Sequence, residues 1–302
     1  MTPPTAALMR PGRRDGFIII AVLWIVVALA SLAATYATFV GNAVGSVAIN
    51  DDRLRSETLM TAAVELAAYR MTLTPNAAPV SSGTFRFRLG GAEVLVRYTP
   101  ESARIDLNAA QKPLLAGMFR ALGAEPEAAG SFADRIIAWR SPQRGNADSE
   151  ETSRYRAAGL GYGPRQGPFA HADELWLVAG IPDSLKRQAF NLVTVYSGQP
   201  NVDIAEAVPA VIAALPGITP DRLDALLRQR ARTGDTLPGI RDTRTGRTRR
   251  IAIDIGFDNG RKSGGEVVVL MAEIGDVPYR ILSWQNDFDR PRAGGSSQRA
   301  GR

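Results

Sequence analysis

The sequence contains no cysteine and only one histidine among its 302 residues. Without cysteine, the chain has no disulfide framework, no thiol nucleophile and no thiolate metal site. A single histidine excludes zinc sites built from two or three imidazoles, and it leaves His171 as the one candidate base for Ser-His-Asp chemistry. No Gly-x-Ser-x-Gly motif accompanies it, so we expect His171 to cap a turn or helix and the protein not to be an enzyme.

Charge is missing from one long segment near the N-terminus. Phe17–Val40 contains no charged residue, and its 24 residues are enough to span a bilayer as a helix. A cleaved secretory signal has a shorter apolar core. Three arginines precede the segment and two aspartates follow it, namely Arg10, Arg13, Arg14, Asp51 and Asp52. By the positive-inside rule we predict one membrane span, with the N-terminus in the cytoplasm and the remaining chain exported.

Periodicity predicts a long N-terminal helix and two sets of strands. Apolar residues recur at spacings of three and four up to Leu73, with Leu59, Ala62, Leu66 and Tyr69 on the same face, and Pro75 ends the pattern. Alternating residues around Gly90-Gly91 predict a β-hairpin, and alternating runs return at 251–255, 267–271 and 279–284. A helical block separates the two sets. The pattern therefore predicts an α+β fold, a long N-terminal helix plus an antiparallel sheet with a large all-helical insertion.

The helical block begins with two helices, one ended by Gly123 and one containing Trp139. A polar, irregular stretch is expected from Arg140 to His171, and two shorter helices after it. Ile105-Asp106-Leu107 and the apolar residues after it recur, at the same spacings, from Val202-Asp203-Ile204 onward, with a helix expected at Pro220–Arg230. This repeat predicts two lobes of similar design. Trp139 and Trp176 are expected in the apolar core.

These patterns divide the chain into six parts. We predict a basic leader at 1–16, the N-terminal helix at 17–74 with its membrane span at 17–40, strands at 75–104, the inserted helical domain at 105–238, further strands at 239–288, and a disordered tail at 289–302.

The junction of leader and apolar run resembles the cleavage site of type IV prepilins and type II secretion pseudopilins. A short basic leader ends in Gly16, and Phe17 begins the apolar run. The whole chain resembles the GspK family, the large minor pseudopilins of type II secretion systems. The segments that carry this resemblance are R-R-D-G-F at 13–17, I-D-L-N-A-A at 105–110, A-D-R-I-I-A-W-R at 133–140, A-D-E-L-W-L-V-A-G at 172–180 and A-L-P-G-I at 214–218.

The resemblance implies a pilin fold with an inserted helical, SAM-like domain and no catalytic activity. It implies that a prepilin peptidase cuts between Gly16 and Phe17, leaving an inner-membrane subunit with a periplasmic C-terminal domain. Its partners would be other minor pseudopilins and the major pseudopilin. The fifth residue after the cut is usually glutamate in such proteins, whereas here it is Ala21. A tip subunit has no upper neighbour to pair with that carboxylate, so Ala21 fits the tip of the pseudopilus.

The resemblance also implies calcium in the helical insert. The candidate ligands are Asp148, Glu150 and Glu151, because calcium prefers several carboxylate oxygens. The alternative is a solvated acidic loop paired with Arg144 and Arg154.

A membrane-tethered DNA-binding protein is the competing interpretation. Asn108-Ala109-Ala110 with its helix pair, and the later Leu215-Pro216-Gly217-Ile218-Thr219, resemble helix-hairpin-helix modules. Glu125 and Glu127 in the first copy would repel DNA, and the net charge of +6 is modest. We therefore expect no nucleic-acid partner.

Overall fold

The structure is a computed structural model that describes residues 15–72, 82–142, 150–233, 247–274 and 277–286. The chain divides into two units, Met1–Glu57 and Thr58–Arg302. Most of the predicted leader and all of the predicted tail at 289–302 lie outside the described residues.

The N-terminal helix, α1, spans Asp15–Thr72, in agreement with the helix predicted from Phe17 to about Leu73. In the second unit, it buries an apolar face against the sheet, made of Leu59, Met60, Ala63, Val64 and Ala67. This face is rotated from the predicted one, because Ala62 and Leu66 are only half-buried and Tyr69 is 59% exposed. The small alanine side chains let the helix lie close to the sheet, and the large tyrosine ring turns to solvent.

The described residues contain seven strands. They are β1 Gly83–Leu89, β2 Ala92–Pro100, β3 Ile105–Asp106, β4 Val193–Thr194, β5 Thr248–Phe257, β6 Lys262–Ile274 and β7 Val277–Asn286. Five of them form one sheet in the order β1-β2-β5-β6-β7, and each neighbouring pair is antiparallel. The predicted hairpin is confirmed: β1 and β2 join through Gly90 and Gly91, whose φ angles of 59° and 74° suit a tight turn of the I′ kind.

Strand β6 begins at Lys262, five residues before the run predicted from the alternation. It includes Gly264 and Gly265, which therefore lie within the sheet. A Cβ on Gly264 would lie 2.3 Å from the carbonyl oxygen of Ile253, and one on Gly265 would lie 2.2 Å from that of Gln285. The two glycines thus permit the backbone of β6 to approach both of its neighbours closely.

The helical block lies between β2 and β5 in the sequence, although these two strands are neighbours in the sheet. Its α-helices are α2 Lys112–Ala121, α3 Pro126–Arg140, α4 Glu150–Ala157, α5 Asp183–Phe190, α6 Pro209–Ala213 and α7 Pro220–Thr233. A 3-10 helix covers Ala172–Leu177, and β3 pairs with β4 in parallel. One apolar core contains side chains from both predicted lobes, among them Phe119 and Ile212.

Two details of the helical block differ from the predictions. The stretch expected to be irregular contains α4. The sequence of this helix is polar and shows no apolar periodicity, because Tyr155 is its one large buried apolar side chain. Trp139 is buried as predicted, but Trp176 is 39% exposed. The prediction for Trp176 was wrong because its 3-10 helix turns the neighbouring Leu175, and not the tryptophan, into the core.

Candidate functional site

The N-terminal part of α1 is the first candidate functional element. Gly16 and Phe17 lie in its first turn, and Ala21 lies on the next. Ile19–Thr38 is the one segment among the described residues that is long and apolar enough to cross a membrane. Its large apolar side chains are exposed, Trp24 by 71% and Tyr36 by 69%. An apolar surface of this length needs lipid or other apolar helices around it.

Three hydroxyl groups in this segment are satisfied by the helix itself. Ser31 Oγ donates to the carbonyl of Ala28, Thr35 Oγ1 to that of Ser31 and Thr38 Oγ1 to that of Thr35, each at 2.8 Å. Because each hydroxyl proton has an acceptor within α1, these residues cost little when the helix is surrounded by an apolar medium.

The second candidate element is the helical insert, where Asp106 is the centre of a polar network. Its Oδ1 accepts the backbone N–H groups of Asn108 at 2.7 Å and Ala109 at 3.2 Å. Its Oδ2 accepts the hydroxyl of Ser197 at 3.0 Å and the N–H of Gly198 at 2.7 Å. The buried carboxylate therefore joins the turn after β3 to the turn after β4, which explains why this part of the insert needs an aspartate.

Arg140, at the end of α3, holds the same turn from the other side. Its guanidinium donates to the carbonyl oxygens of Leu107 at 2.5 Å and Ala110 at 2.7 Å. Burial lowers the pKa of Arg140, and the nearby Asp106 carboxylate opposes that shift. Arg140 was predicted to begin an irregular loop. It is instead the last residue of α3, and its side chain holds segment 105–110 through two hydrogen bonds.

Glu174, in the 3-10 helix, links this helix to α3 and to the loop that precedes the 3-10 helix. The indole N–H of Trp139 donates to Glu174 Oε2 at 3.2 Å. Arg165 Nη1 lies 2.5 Å from Oε1, and the backbone N–H of Ala170 donates to the same oxygen at 3.2 Å. The segments 133–140 and 172–180, which carried the family resemblance, are thus in direct contact.

Tyr155 anchors α4 in the core of the insert. Its ring lies against Trp139 with 6.2 Å between centroids, and the backbone N–H of Ala179 donates to its hydroxyl at 3.1 Å. Burial raises the pKa of Tyr155 to about 12, because the phenolate would lose its hydration.

Two of the three predicted calcium ligands can be located. Glu150 and Glu151 both pair with Arg154, and the distance from Arg154 Nη1 to Glu151 Oε2 is 3.1 Å. Asp148 lies outside the described residues. Over the described ranges, no three histidine, aspartate or glutamate side chains come together in a way that holds a metal ion. The described part therefore offers two carboxylates that already share the guanidinium of Arg154, and two carboxylates are few for calcium.

His171 caps the 3-10 helix, as predicted. Its Nδ1 accepts the backbone N–H of Asp173 at 3.3 Å, and its Nε2 lies 2.8 Å from Nε2 of Gln285 in β7. The exposed Asp254 and Asp258 pair with arginines of the sheet, as in the 2.6 Å contact between Asp258 and Arg88.

Two helix pairs of the insert turn through glycines in the left-handed region. Gly123 between α2 and α3 has a φ of 92°, and Gly217 between α6 and α7 has a φ of 74°. The helix–hairpin–helix arrangement of the competing interpretation is therefore present. Glu125 and Glu127, at the first hairpin, are exposed, which places negative charge where a DNA phosphate would bind.

Residues 95–198 match a protein-family model described as "Type II secretion system (T2SS), protein K". This matched protein K domain begins in β2 and ends four residues after β4, so it covers the first part of the insert. This match confirms the resemblance drawn from the sequence, and it places the Asp106, Arg140 and Glu174 networks within the protein K domain. No curated protein matches the chain in sequence.

The fold is similar to that of a chain in the crystal structure titled "The Crystal Structure of the GspK-GspI-GspJ complex from enterotoxigenic Escherichia coli Type 2 Secretion System". The TM-score is 0.56 and the sequence identity is 16%, over 78% of this chain and 97% of that chain. The similarity confirms the predicted α+β fold.

Sequence reasoning missed one cluster that joins the protein K domain to strands outside it. Glu101 is fully buried where the chain leaves the sheet, and it pairs with Arg250 of β5. Arg250 also pairs with Glu266 of β6 at 2.7 Å. The sequence gives no signal for this cluster, because its members are 149 and 16 positions apart and each looks like an ordinary surface charge.

Proposed function

We propose that the chain is a minor pseudopilin at the tip of the type II secretion pseudopilus and is needed for protein secretion across the outer membrane. The observation that carries the proposal is the protein K match at 95–198, in an insertion between two paired strands of a sheet that follows a long apolar helix. The role is structural: the subunit works through its place in an assembly and performs no catalysis.

In this proposal, Ile19–Thr38 anchors the subunit in the inner membrane. The arginines before the segment keep the N-terminus in the cytoplasm, and the unit from Thr58 onward lies in the periplasm. The exposed apolar surface of α1 supports this arrangement, because it suits either lipid or the apolar helices of neighbouring subunits.

Maturation by a prepilin peptidase between Gly16 and Phe17 is part of the proposal. Cutting there removes the basic leader and leaves an N-terminus at the start of the apolar segment. Partners are proposed to be other minor pseudopilins and the major pseudopilin, since the similar solved chain comes from a complex titled GspK-GspI-GspJ. Ala21 supports the tip position, because it offers no carboxylate to a neighbour above.

Expression of the full chain with and without a prepilin peptidase, followed by N-terminal sequencing, tests the processing step. We expect a new N-terminus at Phe17 only when the peptidase is present, and we expect Gly16→Leu to block it. Gly12→Leu, the same change four residues earlier, is the matched control and should be cut normally. An unchanged N-terminus, or a cut at any other bond, contradicts the pseudopilin proposal.

DNA binding is the second candidate function, favoured by the left-handed glycines of the two hairpins. The exposed Glu125 and Glu127 oppose it. The detergent-solubilised chain, titrated with duplex DNA at physiological salt, separates the two functions. We expect no binding, and salt-sensitive binding in the micromolar range or tighter would favour the DNA-binding function instead.

A further inference from the structure

The second unit contains two separate apolar cores. One lies between α1 and the five-stranded sheet, and the other lies within the helical insert. Within the described residues, neither cluster takes side chains from both the sheet and the insert. Apolar packing is tolerant of small rotations, and neither of the two cores extends across the junction. The direction of the insert relative to the sheet therefore rests on other contacts.

The strongest of these contacts centres on the carboxylate of Glu101, which is fully buried. Arg250 donates through Nε to Oε1 at 2.7 Å and through Nη2 to Oε2 at 3.3 Å. The hydroxyl of Thr194 donates to Oε2. Arg250 Nη1 donates to Glu266 at 2.7 Å. Both oxygens of Glu101 thus have partners, and the bidentate arginine restricts the angle as well as the distance.

These residues come from the places where the sheet and the insert meet. Glu101 directly follows β2, where the chain leaves the sheet, and Arg250 lies in β5, where the chain has returned to it. Thr194 belongs to β4 inside the insert. Burial alone lowers the pKa of Arg250, but its hydrogen bonds to Glu101 and Glu266 outweigh burial and raise the pKa, so the guanidinium stays charged.

The preceding residue of β5, Arg249, is also buried. Burial lowers the pKa of Arg249, and the negative charges of Glu206 and Asp203 in the insert oppose that shift. The backbone N–H of Asp203 donates to the carbonyl of Ser102 at 2.8 Å. Consecutive side chains of a strand point to opposite faces, so Arg249 and Arg250 lie on opposite sides of β5.

The contact surface next to Arg250 is mixed in polarity and incompletely filled. A small cavity there has polar lining groups from His171, Tyr196, Glu266, Ser283 and Gln285, and apolar ones from Ala172, Phe190, Val193 and Val268. A surface of this kind does not define one orientation through shape alone. Directional hydrogen bonds to a buried charge do, and buried ion pairs are retained in some proteins for this specificity rather than for stability.

We propose that Glu101, held by Arg250 and Thr194, sets the direction in which the helical insert projects from the sheet. Glu101 and Arg250 are positioning residues. Removing both charges together avoids leaving either one buried without the other, so the double variant Glu101→Gln/Arg250→Met keeps most of its stability but loses the restriction on angle.

The chain has no cysteine, so two introduced cysteines take spin labels without any background. We place them at exposed positions, Glu127→Cys on the insert and Lys262→Cys on the sheet. Distances are measured by double electron–electron resonance on the full chain in detergent. We expect one narrow distance in the otherwise unchanged chain and a broadened or displaced distribution in the double variant. Asp258→Asn is the matched control, since it breaks an exposed ion pair to Arg88 within the sheet and should leave the distance narrow.

Thr194→Val is the milder second variant, because it keeps both charges and removes only a hydroxyl, which donates to Glu101 and accepts the backbone N–H of Tyr196 at 3.1 Å. It should broaden the distribution less than the double variant, and it decides the matter if the double variant does not fold. A narrow distribution at the original distance in every folded variant overturns the proposal. The measurement needs no partner protein, so its outcome is independent of whether the chain is a pseudopilin.

Discussion

The side chain of Asn108 pairs with both backbone polar groups of Phe169. Asn108 Oδ1 accepts the N–H of Phe169 at 2.7 Å, and Asn108 Nδ2 donates to its carbonyl oxygen at 3.0 Å. The side-chain amide of Asn108 thus satisfies both backbone polar groups of a residue 61 positions away, as a neighbouring strand would in a sheet. Together with Asp106 and Arg140, it explains why the insert needs the polar residues within I-D-L-N-A-A.

Replacing Asn108 should therefore destabilise the insert. In Asn108→Ala both backbone groups of the buried Phe169 lose their partner, and we expect the free energy of unfolding to fall by about 2 kcal/mol. Urea denaturation of the full chain in detergent measures this change. Asn201→Ala is the matched control at an exposed site and should stay within about 0.5 kcal/mol of the unchanged protein. Equal effects of the two variants would contradict the role given to Asn108.

Two helical glycines should respond to alanine in opposite directions. A Cβ on Gly117 in α2 would lie 1.9 Å from the carbonyl oxygen of Ala214, whereas a Cβ on Gly130 in α3 meets nothing within 4 Å. We expect Gly117→Ala to destabilise by about 1–3 kcal/mol through overpacking. Gly130→Ala should stabilise by about 0.5–1 kcal/mol, because alanine loses less backbone entropy in a helix. Thermal unfolding checks both, and a stabilising Gly117→Ala would refute the close contact of α2 with Ala214.

Stability should fall at alkaline pH because of Tyr155. Its pKa is about 12 in the folded protein, above the ordinary value of 10, since burial favours the neutral phenol. The contribution is fully present below pH 10 and is lost as the pH rises from 10 through 12, amounting to about 1.4 kcal/mol by pH 11. Denaturation midpoints at several pH values measure the slope. Tyr155→Phe should lower stability below pH 10, by leaving the N–H of Ala179 without its acceptor, and it should flatten the alkaline part of the curve. An unchanged slope in that variant assigns the loss to other groups.

Arg154 should compete with calcium for Glu150 and Glu151. A cation bound at the predicted set of Asp148, Glu150 and Glu151 must displace the guanidinium that both glutamates contact. If calcium binds there, we expect it to raise the melting temperature more in Arg154→Met than in the unchanged chain, because ligand binding to the folded state stabilises it by mass action. Magnesium and a chelator serve as controls. No shift in either protein at millimolar calcium would refute the predicted site.

A carboxylate introduced at position 21 should change the position of the subunit in the pseudopilus and leave cleavage after Gly16 unchanged. Ala21→Glu puts a charge into the apolar segment. An unpaired charge there costs up to about 2.5–3.5 kcal/mol of insertion free energy, the value for the bilayer centre. The variant should therefore favour positions in which an upper neighbour pairs with the charge. We expect normal cleavage after Gly16 and more co-purification of the major pseudopilin than with the unchanged chain. Ala21→Val is the apolar control. Identical co-purification by the two variants would argue against the tip interpretation of Ala21.

Local patterns in the sequence were enough for several elements. The uncharged run after Gly16 predicted the apolar helix, because length and absence of charge are properties of consecutive residues. Gly90-Gly91 predicted the hairpin for the same reason, since a two-residue turn with positive φ depends on its own residues. The cap role of His171 likewise depended on the helix beside it. These predictions needed no knowledge of distant contacts.

Other features were wrong or missing because they depend on distant partners. The buried face of α1 was predicted to run through Ala62, Leu66 and Tyr69 as well as the buried Leu59, whereas the sheet packs against Ala63 and Ala67. Helix α4 was missed because its sequence is polar. Tyr155 fixes the helix in the core only through contacts with Trp139 and Ala179, which lie in other parts of the chain. Trp176 was placed in the core because its apolar neighbours were counted at α-helical spacing. The segment is a 3-10 helix with three residues per turn, which buries Leu175 and leaves Trp176 partly exposed.

By itself, the sequence determined that this protein has an apolar helix without charges, a strand-rich part interrupted by helices, and almost none of the side chains on which thiol or imidazole chemistry depends. These conclusions follow from composition and from order along the chain. Only the tertiary structure decided that Glu101 meets Arg250 and that Asn108 meets Phe169, because a charge or an amide gains a specific partner only when the fold removes it from water.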